Sequence, residues 1–233
     1  MTIDITTTLG DLVTADLRRA RILEGFGLDY CCNGHRSLQE AAHLSDLDVA
    51  EVAAALDLPG LAPAPTPTGE HTNSAYAHDI VDSHHAFMWE EMPRLQALVD
   101  KVLAAHGERH PELALVHSAY TQVVAALDPH MTQEERVVFP AISRLEKSQS
   151  ARAGSSLAEP IQQLRDEHEV VGSLFKRIRI LTDDYVVPER ACNSYRAMLT
   201  GMKEMELDLH EHIHKENNVL FPRVLQLEAE LSR

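Results

Sequence analysis

Two copies of one short motif carry the side chains best suited to chemistry in this chain. The stretches are HMTQEERVVFP, which begins at His130, and HIHKENNVLFP, which begins at His212. Each places a histidine four residues before a glutamate, Glu134 or Glu216, and ends in Phe-Pro. On a helix the two side chains of such a pair lie on one stripe, about 6 Å apart along the axis. Because core-type apolar residues follow each glutamate, we expect both pairs to face a helix-bundle interior.

Two buried carboxylates in this context indicate a metal. Burying a lone carboxylate costs on the order of several kcal/mol unless a cation or a hydrogen-bond partner compensates. Two facing His/Glu pairs share one obvious partner, a pair of metal ions bridged by carboxylates and capped by imidazoles. One such pair alone is more often a solvated surface pair, but its duplication favours the metal. The mixed nitrogen and oxygen donors favour non-haem iron over tetrahedral zinc.

Histidines on two further amphipathic stretches complete the predicted set of ligands. One stretch contains the adjacent His84 and His85. Neighbouring helical residues point about 100° apart, so the pattern favours one of these two without deciding which. The other stretch contains His168, four residues after Leu164 and three before Val171, on the apolar stripe. One ligand-bearing position per helix, together with two carboxylates, predicts a site of four histidines and two glutamates.

The elements that must position these residues are helices. Residues 73–233 contain four long amphipathic stretches with turn-like breaks, which predict an antiparallel up-down-up-down four-helix bundle. Residues 1–58 contain three shorter helix-like stretches, which predict a small helical N-terminal domain, with Ser45 as the N-cap of its last helix. Residues 59–72 are rich in proline and predict a linker. The expected fold class is therefore all-α.

Composition excludes several kinds of partner. The formal net charge of −15 argues against nucleic acid or an anionic membrane surface. No apolar stretch approaches the roughly 18–20 residues of a membrane span, and the N-terminus lacks the features of a secretory signal, so we expect a cytoplasmic protein.

Three cysteines, Cys31, Cys32 and Cys192, are too few for a disulfide framework. We expect Cys192 to pack, and His210 and His214 to lie on solvated faces.

The chain resembles the iron–sulfur cluster repair di-iron proteins, the RIC family of the YtfE and ScdA type. The resemblance rests on DYCCNGHRSLQEA, on DEHEVVG and on the two motifs above. It implies a ScdA-like N-terminal domain and a hemerythrin-like bundle with two iron ions, bridged by an oxo group and by carboxylates. It also selects His85, eight residues before Pro93, over His84. The implied ligands are His85, His130, His168 and His212 as terminal groups, with Glu134 and Glu216 as bridges.

The resemblance implies roles for four further residues. Glu167, beside the third-helix ligand, and His106, near the end of the first bundle helix, are expected to handle protons or to line a channel. Cys31 and Cys32 match a vicinal pair of the family and are expected to be redox-active or to handle iron, sulfur or nitrosyl groups. Asn33 follows them where the family usually has glycine.

The implied function is protection or repair of iron–sulfur clusters after nitrosative or oxidative stress. It would proceed by reduction of nitric oxide to nitrous oxide at the di-iron centre, by iron donation, or by both. The expected partners are damaged iron–sulfur proteins, with nitric oxide or oxygen as small ligands, and the family suggests a homodimer. One alternative is a hemerythrin-like carrier or sensor of oxygen or nitric oxide without turnover, which gives the cysteine domain no purpose. Another is an interaction protein whose metal is only structural.

Overall fold

The structure, a computed structural model, describes residues 3–58, 72–148 and 156–232. Every regular element within those ranges is helical, which confirms the expected all-α class. The predicted proline-rich linker lies outside the described residues, except for its last residue, Thr72. Among the described helices, none combines the length and the apolar character that a membrane crossing requires.

Four short helices occupy the N-terminal part of the chain. The first two replace the single helix predicted there, because Asp16 adopts an extended conformation and its side chain accepts a hydrogen bond from the Arg18 backbone at 3.1 Å. The N-cap of the fourth helix is Asp48, which accepts from the Ala50 backbone at 2.8 Å, so the prediction of Ser45 was wrong. The helices are Leu9–Ala15 (α1), Arg18–Gly25 (α2), Leu38–Leu44 (α3) and Val49–Leu56 (α4).

Longer helices follow, and three of them are interrupted by π-helical segments. The α-helices are Asn73–Ile80 (α5), Ala86–His106 (α6), Glu112–Gln133 (α7), Phe139–Ser148 (α8), Ala158–Leu181 (α9), Asn193–His214 (α10) and Phe221–Leu231 (α11). The π segments are Val81–His85, Glu134–Val138 and Lys215–Leu220. Each π segment contains a histidine or glutamate that the sequence marked as a ligand. Single π turns within α-helices are frequently found at functional sites.

The described residues form two compact units. The bundle unit comprises those within 77–144 and 157–209, and the N-terminal unit comprises those within 1–76, 145–156 and 210–233. This division assigns the last histidine motif to the N-terminal unit.

The bundle unit has an apolar interior to which α6, α7, α9 and α10 all contribute. Helices α6 and α7 run antiparallel, because Met92 pairs with Tyr120 and the later Asp100 pairs with the earlier His117. Helices α6 and α10 are also antiparallel, since His84 contacts Asp208 and Gly201 lies against Leu95. Buried side chains of this core include Met88, Leu95, Val116, Tyr120, Leu164, Phe175, Met198 and Met202.

Candidate metal centre

Three histidines of the bundle unit, His85, His130 and His168, converge on Glu134, at the start of the second π segment. This side chain is fully buried. Its Oε2 lies 3.3 Å from Nε2 of His85, and its Oε1 lies 3.3 Å from Nε2 of His130. His168 joins the cluster through its Nε2, which is 3.1 Å from Nε2 of His130. The structure therefore brings together all four of the residues predicted as ligands in this unit.

Two of these imidazoles contact carboxylates through their Nδ1 atoms, on the side of the ring opposite to Glu134. Nδ1 of His85 lies 3.0 Å from Oε1 of Glu135, and Nδ1 of His130 lies 2.8 Å from Oε2 of Glu167. A carboxylate at Nδ1 favours the tautomer that carries its proton there, so that Nε2 presents a lone pair. Both lone pairs then point toward Glu134. This is the arrangement that orients histidines as metal ligands in proteins.

His84 and His85 are both buried, although consecutive helical residues seldom face one interior together. They are the last two residues of the π segment Val81–His85, and their rings contact different residues. Nδ1 of His84 lies 3.0 Å from Oδ1 of Asp208. His85 is further fixed by stacking on Phe139, with ring centroids 5.9 Å apart. Of the two, His85 is therefore the one that lies beside Glu134.

Glu167 occupies a position between the cluster and solvent. About a third of its side chain is exposed, at 33%, and Nε2 of Gln163 donates to its Oε1 at 2.8 Å. The hydrogen bond with His130, joined by the one from Gln163, holds the pKa of Glu167 below its usual range, against partial burial. The residue is therefore a stable carboxylate against the Nδ1 of His130.

The second motif is formed within the N-terminal unit. His212 and Glu216 are both fully buried, and Nε2 of His212 lies 3.2 Å from Oε1 of Glu216. As in the first motif, the glutamate lies in a π segment, Lys215–Leu220, directly after the helix that carries the histidine. The two copies of the sequence motif thus adopt the same local structure.

The donor chemistry of both motifs suits non-haem iron. His130, Glu134 and His168 offer ligand atoms that all lie within 4.8 Å of one another. Imidazole nitrogens and carboxylate oxygens, with no thiolate among them, are the donors that such iron sites in helix bundles use. The His and Glu side chains of the bundle unit are therefore placed for metal binding.

Comparisons with known proteins agree with this arrangement. Residues 76–224 match the family model described as the hemerythrin HHE cation binding domain, and residues 5–58 match ScdA_N, a domain of unknown function (DUF542). The chain is 35% identical over 229 residues to the iron-sulfur cluster repair protein YtfE of Musicola paradisiaca, covering 95% of this chain and 97% of that relative. The chain belongs to the RIC family. The RIC family resemblance inferred from the motifs is thereby confirmed.

Other RIC family proteins are similarly close. The YtfE protein of Pectobacterium carotovorum is 34% identical over 225 residues, covering 94% of this chain and 96% of the relative. The YtfE protein of Yersinia pestis is 33% identical over 227 residues, covering 94% of this chain and 96% of the relative. The RIC family relatives are thus matched along nearly their whole length.

Asn218, in the second motif, was given no role in the sequence analysis, yet it joins that motif to the cysteine loop. Its Nδ2 donates to the backbone carbonyls of Tyr30 at 3.2 Å and Cys31 at 3.0 Å. Gly34 makes this approach possible, because a Cβ at that position would lie 2.3 Å from Oδ1 of Asn218. The vicinal cysteines and the motif of Glu216 therefore form one packed structure within the N-terminal unit.

His214 is buried, so the prediction of a solvated face for it was wrong. Its Nε2 lies 3.3 Å from Oγ1 of Thr14, its Nδ1 lies 3.3 Å from Nδ2 of Asn218, and its ring meets Tyr30 edge-on. Burial lowers the pKa of His214 to about 4. The pattern of the helix alone could not reveal this, because two of the partners of His214, Thr14 and Tyr30, lie far from it in the sequence.

The structure does not bring His106 to the cluster. His106 ends α6, 21 residues after His85, which is about 30 Å along the helix at 1.5 Å per residue. Its Nε2 lies 3.2 Å from Sγ of Cys192, which is exposed rather than packed as predicted. His106 is therefore not in contact with Glu134.

Proposed function

We propose that this chain binds two iron ions and uses them to protect or repair iron–sulfur clusters damaged by nitrosative or oxidative stress. The observation that carries the proposal is the fully buried Glu134, held between two imidazoles whose Nδ1 atoms are fixed by carboxylates. The names of the relatives, iron-sulfur cluster repair proteins, support the cellular role. In this proposal His85, His130, His168 and His212 are terminal ligands, and Glu134 and Glu216 are bridging ligands.

The residues around the centre each have a defined task. The two glutamates supply negative charge that offsets the charge of the metal, and the apolar core excludes bulk water. Glu135 and Glu167 keep protons on the Nδ1 atoms of His85 and His130, so that both Nε2 atoms remain available. Glu167, which is partly exposed, also offers a path by which protons reach the interior from solvent. We therefore retain Glu167, and not His106, as the proton-handling residue.

The protein would act by reducing nitric oxide, by donating iron to damaged clusters, or by both. A pair of ferrous ions, when bound, supplies two electrons and an exchangeable position, which suffice with two protons to convert two nitric oxide molecules to nitrous oxide and water. Donation of iron to a damaged cluster needs no electron from the site. The partners are then damaged iron–sulfur proteins of the cytoplasm, with nitric oxide as the small ligand, and a homodimer is the assembly that we expect from the family.

The test is reactivation of an iron–sulfur enzyme that nitric oxide has damaged. The iron-loaded chain should restore its activity, and the Glu134→Ala/Glu216→Ala double variant should not. His117→Ala, a half-exposed histidine of α7, provides the matched control and should behave as the parent chain. Equal reactivation by the double variant would overturn the proposal. Nitrous oxide measured in the same reactions separates reduction of nitric oxide from iron donation.

A further inference from the structure

One oxygen of Glu135 is shared by two side chains that follow each other along the first bundle helix. Nδ1 of His85 and Nε1 of Trp89 each lie 3.0 Å from Oε1 of Glu135. An indole N–H can only donate, so Trp89 donates to this oxygen whatever the tautomer of His85. Trp89 is the one tryptophan of the sequence and comes four residues, or about one helical turn, after His85. A single carboxylate therefore links Trp89 to a proposed iron ligand.

The exposure of these side chains shows why Glu135 needs a second partner. The His85 side chain is fully buried, whereas 31% of the Glu135 side chain is exposed. A partly exposed glutamate can turn toward water unless its contacts outweigh the rotamer entropy that ordering it costs. Trp89, which is half-exposed, donates to the same oxygen that contacts His85. This hydrogen bond opposes any movement of the Glu135 carboxylate away from His85.

The imidazole of His85 is fixed by two contacts that do different things. Phe139 stacks on the ring, with centroids 5.9 Å apart and ring planes 22° apart, which limits its tilt. An apolar ring cannot select a tautomer, whereas a carboxylate at Nδ1 keeps the proton there and leaves the lone pair on Nε2. The availability of Nε2 of His85 therefore depends on the position of Glu135.

Glu167, the carboxylate at the other imidazole, has a second donor of its own. Its Oε2 lies 2.8 Å from Nδ1 of His130, and its Oε1 accepts Nε2 of Gln163 at 2.8 Å. Gln163 thus supports Glu167 as Trp89 supports Glu135, and the two pairs share no residue. A change at Trp89 should therefore reach His85 and leave His130 in place.

We propose that Trp89 is a positioning residue of the metal centre, which fixes the carboxylate of Glu135 and through it orients His85 toward iron. Trp89 acts through Glu135 and is not itself a ligand. The inference rests on the proposed function, because it concerns how the same centre retains its iron. It predicts that one of the two iron ions, the one bound by His85, depends on an indole N–H.

The test is the rate at which the iron-loaded full chain releases ferrous iron to a chelator in the absence of oxygen. Trp89→Phe keeps an aromatic ring but removes the N–H. It should speed the release of one of the two ions by about three- to tenfold, below the ten- to hundredfold effect of removing a supporting carboxylate itself. In a Glu135→Ala background the same substitution should have no further effect, because the two residues act as one unit.

Gln96 provides the matched control on the same helix. Its Nε2 donates to Oδ1 of Asp100 at 3.0 Å, so Gln96→Ala also removes a hydrogen bond to a carboxylate. This variant should release iron as the parent chain does. Equal acceleration by Trp89→Phe with and without Glu135, or no acceleration in either background, would overturn the proposal.

A second measurement needs no iron. With one tryptophan, the full ¹⁵N-labelled chain gives one indole N–H signal by NMR, and Glu135→Ala should shift it and speed its exchange with solvent. An unchanged signal in that variant would overturn the proposal, and Gln96→Ala should leave the signal as it is. Failure of the proposed function looks different, since the parent chain would then hold no iron or would not reactivate the damaged enzyme. The indole signal would still decide whether Trp89 holds Glu135.

Discussion

Removing the carboxylate of Glu167 should weaken iron binding without touching a ligand. Glu167 acts through His130, whose Nδ1 lies 2.8 Å from its Oε2. A hydrogen bond to a charged group contributes about 1.5–3 kcal/mol. Because 33% of the Glu167 side chain is exposed, water can replace part of this contact, and the lower end of the range applies. About 1.4 kcal/mol corresponds to a tenfold change in affinity, so Glu167→Ala should weaken iron binding roughly tenfold.

The assay is competition for iron between the protein and a chelator of known affinity. Glu167→Gln should lie between the parent chain and Glu167→Ala, since an amide oxygen can still accept from Nδ1 but carries no charge. Glu169→Ala is the matched control, because it removes the same charge from an exposed neighbour on α9. Its iron affinity should equal that of the parent chain.

Thermal unfolding of the metal-free proteins distinguishes positioning from general stability. If Glu167 positions His130, the metal-free variants unfold within a few degrees of the parent chain while their iron affinities differ. Equal iron affinity in Glu167→Ala and the parent chain would refute the reasoning. So would a loss of affinity in Glu169→Ala as large as that in Glu167→Ala, because the effect would then be one of net charge.

Two further substitutions test other parts of the structure. His85→Ala should lower the iron bound per chain, measured by elemental analysis, whereas His84→Ala should retain it; the reverse result would reassign the ligand of this helix. Gly34→Ala should lower the free energy of unfolding by about 1–3 kcal/mol in urea titrations, because its Cβ would lie 2.3 Å from Oδ1 of Asn218. Gly25→Ala, where a Cβ would meet nothing within 4 Å, is the control and should not be destabilised.

Sequence periodicity was sufficient to predict the helical class, because apolar spacing reports which face of a helix is buried. The repeated His-x-x-x-Glu pattern likewise identified Glu134 and Glu216, both of which are fully buried. It could not decide between His84 and His85, since both are buried and only the partner of each ring separates them. That partner is set by the packing of other helices, which no local pattern encodes.

The π segments were also beyond prediction. They insert an extra residue into a helical turn, and the apolar spacing around Glu134 is compatible with an ordinary α-helix. The role of Asn218 was missed for a related reason, since its partners, Tyr30 and Cys31, lie about 190 residues earlier in the chain. The hydrogen bonds of Asn218 become apparent only once the fold places the carbonyls of Tyr30 and Cys31 beside it.

The most direct test of the account is the metal content of the reconstituted chain and of its Glu134→Ala/Glu216→Ala double variant. Both proteins would be loaded with ferrous iron anaerobically, freed of excess metal and measured by elemental analysis. We expect about two iron ions per parent chain, as in other carboxylate-bridged helix bundles, and nearly none in the double variant. Equal iron in both proteins, or a parent chain that retains zinc in preference to iron, would contradict it.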